Sequence, residues 1–309
     1  MEWMKVFGLL LQVSIALIVV ALAMQATWSD VMFMFRQPAL LLKSLIARNL
    51  VMPLVAILLM FVFPLEPPVR VALAALSLTP VPPFLPGMQL RAGGRQSYTI
   101  GLLASHTLLA VVLVPLSLAV MELIFGARLR FTPANMLTTV ARIFVPFAIG
   151  MLLRRSLRTS ISNRLRAAVQ LTSMILLAVG LVGILVLAWR EVFTLVGNGT
   201  LVAFVLFSAI GLLAGHLLGG PLEEDRTALA LATPARHPGV AIAVAAANFP
   251  AYAQLAGAAV VLYLLVEFIV ARPYIARRES LLEPDTLSRS GIDRRHGSRA
   301  AADRRRVVG

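Results

Sequence analysis

The sequence predicts an all-α polytopic membrane protein with about nine spanning helices. Composition is the first ground: 59% of the residues are hydrophobic and only 14% are charged, and mean hydropathy is +0.88, far from the balance of a soluble domain. The second is a series of apolar runs near the roughly 20 residues that a spanning helix needs. The third is that two runs are interrupted alike, by Pro80-Val81-Pro82-Pro83-Phe84-Leu85-Pro86-Gly87 and by Thr233-Pro234-Ala235-Arg236-His237-Pro238-Gly239. Lipid cannot satisfy the N–H and C=O groups of a broken helix, so such breaks persist only where they face protein or a polar cavity. One break in each half of the chain points to the midplane binding site of a transporter.

In chain order the expected spans are 6–26, 39–63, 69–90, 97–123, 136–153, 167–188, 200–219, 227–246 and 252–271. The first run is too long for a signal h-region and no small-residue cleavage site with a soluble domain follows it, so it is read as a helix. The third and eighth contain the breaks. Arginines alternate across the connections: Arg36, then Arg91 and Arg95, then Arg154, Arg155, Arg158, Arg164 and Arg166 on one side, against Lys5, Arg70, Arg128, Arg130 and Arg190 on the other. Positive charge stays cytoplasmic, which predicts an outer N-terminus and an inner C-terminus. The net charge of +14 is thereby topogenic and does not indicate nucleic acid. Residues 272–309, rich in Arg, Ser and Asp, read as a disordered basic cytoplasmic tail able to touch anionic membrane lipid. The absence of cysteine excludes disulfides and thiolate metal sites.

Arg48 and Arg236 carry charge into the apolar region, where an arginine is costly and usually functional. Helices restarting at Pro86-Gly87 and Pro238-Gly239 turn positive N-terminal ends into the same space, which favours an anion. Asn49 and Gln89 are the neighbouring polar side chains able to orient a substrate. His237 serves either as a proton carrier or as a hydrogen-bonding residue. His106 is expected to bond a neighbouring helix, and Glu267 to pair with Arg272. No catalytic motif, phosphate loop or cofactor signature is present.

Arg36-Gln37-Pro38, Leu50-Val51-Met52-Pro53-Leu54, the crossover from Pro80 leading to Thr107-Leu108-Leu109, and the stretch from Arg226 through the second break to Ala241 resemble the bile acid:sodium symporter family. The resemblance implies two inverted repeats, about 6–123 and 136–271 within a transmembrane domain 1–271, arranged as a panel and a core whose two discontinuous helices cross near the midplane. It also implies sodium held by side-chain oxygens. Here the family's glutamine falls on Arg48, its Ser-Asn pair on Leu85-Pro86, its Ser/Thr positions on Thr99 and Leu103, its glutamate on Ala232 and its Gln-Asn pair on Arg236-His237. Only Thr99 keeps a suitable oxygen, and a sodium ion beside two guanidinium groups is repelled.

The sequence therefore reads as a secondary transporter or facilitator of a small organic anion in the bacterial inner membrane, without sodium coupling or cofactor. The expected substrate-binding residues are Arg48, Asn49, Pro86, Gly87, Gln89, Thr99, Arg236, His237 and Gly239. Two alternatives stay open: sodium coupling at a relocated site of backbone carbonyls, Thr99, Thr107 and Thr233, and a transport-inactive membrane scaffold or sensor.

Overall fold

A computed structural model describes residues 2–125 and 133–306, with side chains after Leu282 outside the description. The chain is helical throughout: α1 (Glu2–Ala23), α2 (Trp28–Arg36), α3 (Pro38–Leu45), a π-helical stretch Ile46–Val51 running into α4 (Met52–Val62), α5 (Pro67–Ser77), α6 (Leu85–Arg91), α7 (Gln96–Phe125), α8 (Pro133–Ser156), α9 (Thr159–Thr194), α10 (Thr200–Leu218), α11 (Glu223–Ala232), α12 (Pro238–Asn248) and α13 (Ala253–Arg306). Among the described residues, six stretches are long and apolar enough to cross a membrane: Val6–Ala23, Pro38–Val62, Gln96–Leu123, Thr159–Thr194, Thr200–Leu218 and Pro250–Leu282. The expected third and eighth spans are each split into two short helices, α5 with α6 and α11 with α12.

The local chemistry accounts for these boundaries. Thr27 and Asp30 form a reciprocal capping box at the start of α2, satisfying two otherwise orphaned N–H groups. Prolines stand in the first turn of α3, α5, α6 and α12, where the missing N–H costs nothing. Inside the breaks, Pro80, Pro82 and Pro83, and then Pro234, remove donors and bias the preceding residues away from the helical region. Pro53 lies five residues after Arg48 and has no N–H to offer the i→i+5 pattern of a π turn, which leaves the Arg48 carbonyl open to another donor.

Helices α1, α8 and α9 pack on one another, α2 docks on α7, and α10 packs against α11, α13 and the π-helical stretch. One apolar core lies among α4, α5, α7, α10, α12 and α13 around Leu73, Phe204, Phe207 and Tyr263; a second gathers α1, α2, α6, α7 and α11 around Met34, Tyr98, Leu102 and Leu229. Together they bring both breaks against the π-helical stretch.

Helix α13 continues past residue 272 because Ile275 is buried, Tyr274 Oη lies 2.9 Å from His216 Nδ1 and Arg278 bonds Glu223 at 2.8 Å. The expected lipid contact of the tail's distal arginines, and Arg128 and Arg130, lie outside the described residues. Glu267 does not pair with Arg272: it is buried at 8% exposure, while Arg272 is exposed, since residues five apart stand on different helix faces.

Close approach of α10 to α11 depends on Gly215, where an added Cβ meets Leu229 O at 2.4 Å and Thr233 Oγ1 at 2.6 Å. Backbone cannot yield as a flexible side chain can, so Gly215→Ala is expected to destabilise the fold by about 1–3 kcal/mol. A thermal melt of the purified variant reads this, and an unchanged midpoint rejects the packing account.

Candidate functional site

The two breaks meet at a pair of guanidinium groups. Arg48, on the π-helical stretch, and Arg236, in the second break, are both 0% exposed. Arg48 donates from Nη1 and Nη2 to Ala235 O at 3.3 Å each and from Nη2 to Thr79 O at 3.4 Å. Arg236 donates from Nη1 to Ser77 O at 3.2 Å and Thr79 O at 3.3 Å, and from Nη2 to Arg48 O at 3.2 Å. Among the described residues neither arginine pairs with a carboxylate. Their terminal nitrogens thus supply the carbonyls that the broken helices leave without helical partners, and they stand at the C-terminal ends of α5 and α11, where the helix dipole favours a cation.

Neighbouring side chains complete the crossover. Tyr263 Oη donates to Pro234 O at 2.7 Å, with Phe204 and Phe207 edge-on to its ring at 5.5 Å. The backbone N–H of His237 donates to Thr79 Oγ1 at 3.0 Å, which ties one break directly to the other. His237 Nδ1 accepts from Val240 N–H at 3.4 Å, so the imidazole caps α12. His106 Nε2 lies 3.0 Å from Ser44 Oγ, the helix-to-helix bond expected of it.

The remaining expected site residues fall into separate places. Gln89 Nε2 donates to Ala228 O at 2.6 Å and, with the Arg95–Asp225 ion pair at 2.7 Å, fastens the region after the first break to α11. Thr99 Oγ1 and Asn49 Nδ2 are buried without a partner. Thr107 and Thr233 donate to Leu103 O and Leu229 O in their own helices, at 2.7 and 2.8 Å. Pro86 and Gly87 line a cavity of about 300 Å³ with Gln25, Arg91, Arg166 and Gln170, between α6 and the pair α1–α9. Gly239 is exposed. A second cavity of about 350 Å³ is lined mainly by apolar residues of α4, α5, α7 and α12 between Arg70 and Leu78, the residue that opens the first break.

Sequence reasoning did not single out Arg142, which lies within α8 and is exposed, although an arginine inside the expected span 136–153 is a candidate by default.

The profile described as Sodium Bile acid symporter family matches residues 12–195, more than half of the chain and including the first crossover. The chain belongs to the sodium bile acid symporter family. It is accordingly a helical membrane protein of a transporter family, and the resemblance read from the sequence holds. A search of curated proteins gave no match.

Replacing Arg236 by Gln leaves the carbonyls of Ser77, Thr79 and Arg48 short of donors. The expected cost is about 2–4 kcal/mol, because a hydrogen bond to a charged group contributes roughly 1.5–3 kcal/mol and such losses do not add. Arg236→Lys keeps charge but not the planar fork and is expected to recover only part. Melting temperatures of the purified variants check the order wild type, Lys, Gln; a Gln variant as stable as wild type refutes the structural role.

Proposed function

We propose that this family member is a secondary transporter or facilitator of a small organic anion whose cycle is not driven by sodium. The observation that carries the reading is the burial of the Arg48 and Arg236 guanidinium groups among the carbonyls of both broken helices. A coupling cation is hard, takes oxygen ligands and has to leave in every cycle. Here the oxygens already accept from two cations bound covalently to the chain, and Thr107 and Thr233 are engaged within their own helices, which disfavours a relocated sodium site.

In this reading each broken helix counts as one span and α8 as another, giving nine spans in two inverted repeats with α1, α8 and α9 as panel and the rest as core. The panel moves against the crossover to give alternating access. The cavity carrying Arg91 and Arg166 is the inward branch of the path, and its two cations attract an anionic substrate. The N-terminus is outside and the C-terminus cytoplasmic, in a bacterial inner membrane.

In proteoliposomes, uptake of organic anions is expected to be equal with sodium or potassium outside, and sodium should not raise the melting temperature above a potassium control. Saturable, sodium-specific stabilisation overturns the reading. For orientation, Ser156→Cys and Ser160→Cys in this cysteine-free chain should react with membrane-impermeant maleimide only from the cytoplasmic side. Labelling from outside inverts or miscounts the spans.

A further inference from the structure

The cavity of about 350 Å³ lined by α4, α5, α7 and α12 takes no part in the transport path proposed above. Arg70 and Asn248 are its only polar lining residues, and the rest, from Met60 and Phe61 on α4 to Phe249 after α12, are apolar. A void with so few polar partners is a poor site for water and selects an apolar occupant.

Along α5 the lining runs from Arg70, in the first turn, to Leu78 at the end of the helix, eight residues or about 12 Å at 1.5 Å per residue. The apolar span Pro38–Val62 ends just before α5 begins at Pro67, which sets Arg70 at the membrane boundary. The slot therefore runs through most of one leaflet, whose hydrocarbon half is roughly 15 Å deep. Its deep end lies beside the first break, because Leu78 precedes Thr79, whose carbonyl accepts from both Arg48 and Arg236. Phe61 lines the cavity and is 73% exposed, so the slot opens on the outside of the bundle, where a spanning protein meets lipid.

Arg70 is exposed, and its side chain makes no hydrogen bond or ion pair among the described residues. Neither neighbouring acid answers it. Glu66, four residues earlier, accepts from Asn198 Nδ2 at 2.7 Å, and Glu122, next to the lining residue Met121, forms no ion pair with it. Asn248 donates Nδ2 to Val244 O at 2.8 Å and adds no charge. An intact planar fork thus stands at the mouth of an apolar slot, an arrangement that suits a phosphate above a hydrocarbon chain.

We propose that this slot is a binding site for one anionic phospholipid of the surrounding leaflet, with an acyl chain laid along α5 from Arg70 to Leu78 and its phosphodiester held by the Arg70 guanidinium. The chain enters from the bilayer, which the opening faces, and it supplies contacts beside Thr79 that an empty cavity forfeits. The site does not depend on the anion-transport reading.

The full-length protein in proteoliposomes is photolabelled with phosphatidylglycerol, or with phosphatidylcholine of the same chains, carrying a diazirine near the end of one acyl chain, and the labelled peptides are mapped. Label should fall in the lining segments 74–78 and 244–249, with phosphatidylglycerol favoured about fivefold, the contribution of one basic side chain at a membrane surface. Arg70→Gln should remove that preference and Arg70→Lys keep most of it. Ala74→Phe, which puts a ring into the slot, should suppress label in both segments and leave other lipid-facing peptides unchanged. The Arg70 variants break no contact, and they decide the matter alone where Ala74→Phe is unstable. Label absent from both segments, or a preference unmoved by Arg70→Gln, is the pattern of ordinary annular lipid and overturns the proposal. A diazirine fatty acid that labels the segments more strongly than the phospholipid also overturns it, in favour of an amphipathic carboxylate.

Discussion

A carbonyl that leaves a helix inside a bilayer must find its donor within the protein, and the centre of this molecule is arranged around that constraint. Two helices stop at proline-rich breaks, and a third loses a helical donor at Pro53. The exposed carbonyls of Ser77, Thr79, Pro234, Ala235 and Arg48 are answered by Arg48, Arg236 and Tyr263. Each donor comes from a different segment than its acceptor, so the bonds that satisfy the backbone also join α3–α4, both breaks and α13. The crossover is thus a cross-linked unit, and the Gln89 and Asp225 contacts extend the fastening to the far end of α11.

Burying two guanidinium groups without a carboxylate is expensive, several kcal/mol per ion even after relaxation. The cost is offset by six carbonyl bonds and by the negative ends of α5 and α11, and only the Nε atom of each arginine is left without a partner. The arrangement resembles a cation site whose cation is permanently attached. Such a charge stabilises the broken backbone as an ion would, yet it cannot be exchanged between the two sides of the membrane. On the proposed reading, that separates the folding role of the charge from any role in coupling.

The sequence made the breaks legible because proline acts locally: it removes a donor and restricts its neighbour whatever surrounds it. Long apolar runs were legible for the same reason. The partners of Arg48 and Arg236 were not, since their acceptors lie 31 to 188 residues away, and depth in a membrane says only that an arginine needs a partner. The expectation of an anion at these residues rests on their charge, and the carbonyls that surround them are not visible in the sequence. Likewise, the helical course of residues 272–282 was not legible from their polar composition, because the contacts that hold Tyr274 and Arg278 come from α10 and α11.

Remaining hydrogen-bonding capacity limits what the two crossover arginines can hold. A guanidinium has five N–H donors; in Arg236 one terminal nitrogen serves two carbonyls and the other a third, so an anion arriving there would find two free N–H groups, one on Nε and one on Nη2, and would have to displace backbone bonds to gain more. A contact that must form and break during transport is poorly placed on a residue whose release would leave three carbonyls unsatisfied in a bilayer.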